Sequence, residues 1–402
     1  MKLFLSLQDP RELPKGSRDP LGFEVIWTRY GRKIVSNLTT ITGSIEEFLT
    51  ALYGFYLSQA EDEEEQRHCF LRYEQLAGYL REYVNRHGNN KGGFVRGVTR
   101  VSARLSELES DNTKVLTLSP GKRDMILSNQ TAYGLWGLYS TALDISGLIK
   151  SRSVTAQGEE LAKAMAESDS GLQDFLRSKI TDDATLSLDE IKNFADSFVS
   201  LLHGEFRLSL LRILLRGKES SLQTELFDYL DNLDDEKWKQ VQENAWYLTQ
   251  LRSNMSAQLN NVLEDIVHVD MTLWLCNKLF EYLRLPQWAD ESLENIVAEI
   301  ERQDPKLVLS ELPSGFDDDL KTFRIKWNKQ EYHQAIETLL RRHAKVMEKR
   351  GGAPWAEMTS KGMKIRIEAP DAALEIEKPG HAYDYFLGSY VRIYTAYREI
   401  RS

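Results

Sequence analysis

Cysteine is almost missing from this chain of 402 residues: Cys69 and Cys276 are the only two, far apart and each inside an apolar, helix-like stretch. Two isolated cysteines give no disulfide framework and suit a reducing cytoplasm. They also provide no closely spaced Cys/His set of the kind zinc requires. A long uncharged apolar run is missing as well, which excludes a membrane-spanning helix. The opening "MKLFLSLQDP" carries one lysine and too short an apolar run for a secretion signal; it reads as a first strand. Positive charge is not in excess, because 51 basic residues face 61 acidic ones and the net charge is −10. Nucleic-acid affinity of the whole molecule is therefore not expected, and any such contact must come from a local basic face.

Catalytic signatures are missing too. There is no Gly-x-x-x-x-Gly-Lys-Ser/Thr, no Gly-x-Gly-x-x-Gly, no His-Glu-x-x-His and no Gly-x-Ser-x-Gly, and the seven histidines are scattered. His203 and His268 lie in apolar helical stretches and read as hydrogen-bonded core residues, as do Trp136, Trp246, Trp274 and Trp288. "EAPDAALEIEK" invites comparison with metal-dependent nucleases, which place an Asp and a Glu-x-Lys on a hairpin. Here Glu375 and Lys378 are three apart, so on a strand they fall on opposite faces, and Asp371 sits at a turn. The sequence thus names no catalytic residue, no metal ligand and no cofactor.

What is present is a long chain with ample core material. Hydrophobic residues make up 42% and aromatics 10%, enough for two or three packed domains. "FEVIWTRYGRKIV" alternates and reads as a strand or hairpin. Ser44 with Glu47 three later forms a capping box that opens a helical stretch. "DNTKVLTLSPGK" is a short strand and turn. From about Ala156 to Gln287 the chain is almost continuously helical, and further helices run to about Lys349. "MKIRIEA" and "AALEIEK" then read as a β-hairpin turning at Pro370-Asp371, before a closing tyrosine-rich helix.

"GLIKSRSVTAQGEELA", residues 147–162, has the form of a wing: a glycine ending a helix, a tiny hairpin, and Thr-x-x-Gly opening the next helix. In this reading "RDMILSNQ" is the first helix of a helix–turn–helix, and Thr131 to Ser146 is the second. The segment resembles the corresponding part of bacterial winged-helix regulators. A DNA-reading helix should carry Arg, Lys, Asn or Gln on its exposed face. This one has no basic residue; its face is Tyr133, Trp136 and Tyr139, expected to dock a partner protein or to pack. Only Asn129, Gln130, Lys150 and Arg152 are placed to touch a phosphate or a base edge.

A better basic surface lies upstream. Arg72 to Arg104 holds seven basic residues against two acidic ones, and Arg96, Arg100 and Arg104 step by four along one helix face. With Lys91 in the glycine-rich loop before them, they suit contact with the backbone of double-stranded DNA without sequence reading. The competing expectation is that such arginines pair with carboxylates of a neighbouring helix.

Three stretches, "DPLGFEVIWTRYGRKIVSNLTTITGS", "MILSNQTAYGLWGLYSTALDISGLI" and "AYDYFLGSYVRIY", resemble an uncharacterised group of bacterial proteins associated with anti-phage defence islands. The resemblance carries no catalytic motif. It implies an accessory subunit that docks neighbour-encoded proteins such as an ATPase, helicase or nuclease.

The sequence therefore leads to a mainly helical α+β fold: an N-terminal strand and helix region with a basic helix (1–122), a winged-helix-like unit (123–166), a helical domain (167–349), and a C-terminal hairpin and helix (350–402). The expected function is a non-catalytic subunit of an antiviral complex. A winged-helix transcriptional regulator and a metal-dependent nuclease are the alternatives.

Overall fold

The computed structural model describes residues 13–401 apart from 89, 90, 112, 183, 218–220, 252–254, 371–373 and 375–378. The first strand read at the start of the chain, the Pro370-Asp371 turn and the Glu375-to-Lys378 test all rest on residues outside the described set. The molecule is mainly helical, with small two-stranded antiparallel sheets and a hairpin before the final helix. Among the described residues no helix is long and apolar enough to cross a membrane.

Helix starts follow the polar caps visible in the sequence. Ser44, Asp62, Thr155, Asp169, Ser187, Ser221, Asp234, Ser256, Ser292 and Asp317 each accept a backbone N–H of the turn they open. Each such cap contributes about 1 kcal/mol to its helix. Ser187 and Glu190 complete a reciprocal capping box. Ser44 makes only half of one: its Oγ accepts the Glu47 N–H, but the Glu47 carboxylate is used elsewhere.

The chain divides into two compact units, each assembled from separate stretches of sequence: Met1–Lys33 with Thr249–Tyr385, and Ile34–Leu248 with Phe386–Ser402. In the first unit the Ala257–Tyr282 helix packs with Glu24–Gly31 and Tyr332–Lys349. The stretch read as a strand at "FEVIWTRYGRKIV" is therefore a helix. Ile26 and Tyr30, four apart, are buried while Val25 is 78% exposed, and the Asp19 carboxylate takes the Phe23 and Glu24 N–H groups at its start. The C-terminal hairpin pairs Ala356–Thr359 with Gly362–Ile365, so "MKI" is its second strand and "AEMT" its first.

Two buried residues of one helix turn clamp the first unit. His343 is fully buried: its Nδ1–H donates to the Pro20 carbonyl at 2.9 Å, and its Nε2 accepts the Trp355 N–H at 2.7 Å. Arg342 beside it reaches the Leu21 carbonyl and Asp317.

The second unit is built on the 25-residue Glu63–His87 helix, against which Leu188–Leu202 and Val98–Ser110 pack. The Leu387–Arg401 helix returns to Phe206–Arg216, and Tyr390 donates its hydroxyl hydrogen bond to the Leu215 carbonyl. The strand expected in "DNTKVLTLSPGK" exists as Leu116–Thr117, paired with Thr185–Leu186.

Candidate functional site

The wing forms in the second unit from short-range rules. The Ser140–Ile145 helix ends at Gly147, whose φ of +75° a residue with Cβ rarely adopts. The Gly147 N–H reaches the Asp144 carbonyl and the Leu148 N–H reaches Leu143, closing a Schellman motif. Strands Ile149–Lys150 and Ser153–Val154 pair across a two-residue turn, Ser151-Arg152, in which both residues have positive φ. That is the geometry whose twist suits a tight hairpin, normally met by Asn-Gly.

Thr155 caps the Ala156–Ser168 helix through the Gly158 N–H and donates to the Gly147 carbonyl at 2.7 Å. The Thr-x-x-Gly spacing has a steric reason. A Cβ on Gly158 would stand 2.0 Å from the Leu148 carbonyl oxygen, so only glycine lets the hairpin lie on the helix.

The helices ahead of the wing depart from the expected helix–turn–helix. Residues 121–129 are turns, not a helix. The carbonyls of Arg123, Asp124 and Met125 accept from Arg104 and Arg100, and the Ile126 N–H is held by Gln130 Oε1. The stretch read as one recognition helix is three short ones, Gln130–Tyr133, Leu135–Leu138 and Ser140–Ile145. The first break, at Gly134, is where the buried Glu74 carboxylate takes the Leu135 N–H at 2.6 Å.

Beneath this segment lies a polar cluster. Glu47 accepts from Tyr139 at 2.5 Å and from Arg96 at 2.9 Å. Gln130, fully buried, donates to Glu74 at 3.0 Å and to the Leu71 carbonyl at 2.9 Å. Burial pushes the Glu74 carboxyl up to about 7, opposed by the hydrogen bonds from Leu135 and Gln130.

The aromatic face therefore turns inward. Trp136 packs between Phe55 and Phe70, each 5.3 Å away, and Tyr139 meets Phe48 edge-on at 4.8 Å. Of the three aromatic residues expected to meet a partner, Trp136 and Tyr139 belong to the core and Tyr133 alone stays at the surface, 62% exposed.

The residues expected to touch nucleic acid are divided the same way. Arg96 is tied to Glu47, and Arg104 gives its N–H groups to three carbonyls and the Tyr79 hydroxyl. Arg100 is exposed and reaches the Met125 carbonyl. Lys91 and Lys150 are exposed. Asn129 caps the Gln130–Tyr133 helix, and Gln130 is sealed in the cluster. Arg152 folds back: it donates to the Trp136 carbonyl at 2.5 Å and lies over the indole, 4.8 Å from its centre.

The glycine-rich loop is pinned through its carbonyls. Arg81, itself buried, holds Gly92 and Phe94, while Asn85 holds Gly93 and His203 meets Lys91. His203 is exposed, not a core residue; the four tryptophans are buried as expected.

What the segment does offer to solvent is different chemistry. On the Ser140–Ile145 helix the exposed positions are Thr141 and Asp144. They border a cleft of about 180 Å³ between this helix and the wing turn, with Ser151 opposite and Ile145 and Ile149 as apolar walls. Asp144 Oδ2 accepts the Ser151 N–H at 3.2 Å, and Arg152, which lines the same cleft, feels the charge of this carboxylate. The sequence offers Glu47 only as a capping residue and Glu74 and Arg81 only as members of a charge count, because the fold alone brings the three together. Among the described residues no group of three His, Cys, Asp or Glu side chains is placed to hold a metal ion.

No protein-family model, no curated protein and no solved structure matches the chain.

Proposed function

We propose that the protein is a partner-docking subunit of a bacterial antiviral complex, in which the winged-helix-like unit serves as scaffold and as a protein-facing surface. The observation that supports this role is the outward chemistry of the helix a DNA-binding relative would place in a groove. It presents Thr141 and Asp144, and a carboxylate at that position repels phosphate. Arg152, the wing arginine, is held on Trp136. The biological setting comes from the sequence resemblance alone; the partners it implies are neighbour-encoded ATPase, helicase or nuclease proteins.

The test is an affinity pull-down from the native host at low and moderate salt, with and without nuclease treatment. Stable recovery of neighbour-encoded proteins despite nuclease is the expected outcome. Recovery of nucleic acid alone, lost as salt rises, would refute the docking role and return Lys91, Arg100 and Lys150 as a DNA-backbone surface.

A further inference from the structure

We propose that the face joining the Val98–Ser110 helix to the turn at residues 121–125 binds the phosphate backbone of double-stranded nucleic acid. It includes no residue of the wing and adds a contact beyond the docking role above. Arg104 organises the face. It donates to the Arg123 and Asp124 carbonyls, each at 2.6 Å, to the Met125 carbonyl at 3.3 Å and to the Tyr79 hydroxyl at 2.9 Å. Arg100, one helical turn earlier, reaches the same Met125 carbonyl at 3.3 Å. Two guanidinium groups thus converge on one oxygen, although like charges four apart on a helix repel. Carbonyls orient a guanidinium without cancelling its charge. The turn held in this way carries Lys122 and Arg123, both exposed, as Arg100 is.

The positive charge here is what remains once local pairing is complete. Arg86 and Arg96 are paired with Glu109 and Glu47, and Lys114 with Asp111. Among the described residues no carboxylate stands within ion-pair distance of Arg100, Arg104, Lys122 or Arg123. Glu107 and Asp124 are the other acids of residues 97–126, so four cations face two carboxylates in a chain of net charge −10.

The surroundings select the polyanion. The centre of a protein interface needs an apolar or aromatic anchor, and the turn carries no exposed large apolar side chain. Val98, the exposed apolar residue of the helix, instead lines a cleft with Glu82 and Asn85 of the Glu63–His87 helix. A single strand needs an aromatic platform for its bases, but Tyr79 is buried with its hydroxyl on Arg104. A duplex presents phosphates and demands neither, so the contact is made without sequence reading.

The test titrates a short fluorescein-labelled DNA duplex with the full chain and follows anisotropy from low to moderate salt. The single strand and a labelled hexaglutamate peptide are measured in the same way. The triple variant Arg100→Gln, Lys122→Gln, Arg123→Gln leaves Arg104 to hold the turn. A control triple, Lys239→Gln, Lys361→Gln, Lys364→Gln, removes the same charge from other exposed lysines. The duplex is expected to bind wild type, with log K falling linearly in log salt. The first triple should lower that slope by about 3, one phosphate contact for each lost cation, and the control should leave it unchanged. Arg123→Gln alone, which removes no hydrogen bond made by that side chain, should lower it by about 1 and serves if the triple misfolds.

No duplex binding at low salt, an unchanged slope in the first triple, an equal loss in the control, or tighter binding of the single strand or hexaglutamate each overturn the proposal. The pull-down separates it from the docking role. The first triple is expected to keep neighbour-encoded proteins and to lose nuclease-sensitive nucleic acid. Loss of the protein partner as well would make this face a protein surface and refute the phosphate contact. Duplex binding with no protein recovered by wild type would refute the docking role and leave the phosphate contact standing.

Discussion

Glu74 offers the sharpest test of how the wing segment is held. Its carboxyl is buried under that segment, receiving the Leu135 N–H at 2.6 Å and the Gln130 amide at 3.0 Å. Burial raises its pKa from 4.5 to about 7, the Glu47 carboxylate adds to the rise, and the two hydrogen bonds and Arg96 oppose it. The folded state thus binds the proton more tightly than the unfolded chain. The stability linked to this group is complete below pH 4.5 and is lost as pH rises toward 7, beyond which the loss levels off. A shift of that size corresponds to about 3 kcal/mol across the window.

Glu74→Gln removes the titration. Its amide oxygen can still accept the Leu135 N–H, but its NH2 faces the Gln130 NH2, which costs about 1 kcal/mol for one lost bond. The variant is therefore expected to be less stable than wild type at pH 5 and more stable, by about 2 kcal/mol, at pH 8. Urea unfolding at the two pH values, read through hydrogen exchange of amides 130–139, measures the crossover locally. A variant destabilised by the same amount at both pH values would show that the hydrogen bonds outweigh burial and that Glu74 is ionised throughout.

Other expectations follow from the same kind of geometry. Protonating His343 breaks its Nε2 acceptor role toward Trp355, and burial lowers its pKa to about 4. Its contribution is present above pH 6.5 and is lost as pH falls toward 4, worth about 3 kcal/mol; His343→Gln should flatten the acid limb of the first unit's unfolding, followed by tryptophan fluorescence. Arg96→Ala removes the guanidinium hydrogen-bonded to the buried Glu47 carboxylate, leaving it the Tyr139 hydroxyl and the field of Arg81, and should destabilise the second unit by about 3 kcal/mol. Adding Glu47→Gln should restore much of that, and a double-mutant cycle without such coupling would show that the pair is not a unit. Gly158→Ala improves helix propensity by about 1 kcal/mol yet should lower the melting temperature, because its Cβ meets the Leu148 carbonyl at 2.0 Å; a more stable Gly158→Ala protein would contradict the close hairpin–helix contact.

Local signals were legible in the sequence where the physics is local. The Gly147 stop depends on a few adjacent residues and reads correctly, and Ser44 caps its helix as read although the Glu47 half of its capping box does not form. The wing's Thr155 and Gly158 read correctly too, and one hydrogen bond and one steric contact explain their spacing. The misreadings occur where distant side chains compete for backbone groups. "RDMILSNQ" has helical composition, but Arg100 and Arg104 take the carbonyls a helix would use. "FEVIWTRYGRKIV" alternates like a strand, but Asp19 caps it as a helix and its buried residues are four apart. The basic stripe was visible as a count of arginines. Which of them stay at the surface depended on Glu47, Tyr79 and three carbonyls, none of them identifiable from spacing.

The arginines and aromatics of this segment have a common explanation in charge and burial. A helix that enters a DNA groove must leave its polar face free, so its core contacts come from one narrow apolar stripe. Here the short helices instead bury Trp136 and Tyr139 and bond Gln130 to Glu74, which uses residues on more than one face. Breaking the helix at Gly134 makes this possible, since the backbone bend lets Glu74 reach the Leu135 N–H. Once the segment is committed inward from several sides, the surface left to it is small: Tyr133, Thr141, Asp144 and the wing tip. In a chain of net charge −10, an exposed carboxylate on that remnant disfavours approach of a phosphate backbone. Converting the segment to a DNA reader would therefore require more than removing Asp144. The buried Glu47–Arg96 and Glu74–Gln130 contacts would have to be replaced as well, so Asp144→Asn alone is expected to leave affinity for duplex DNA unchanged in a salt titration, and a gain in salt-dependent binding would refute the inward commitment argued here.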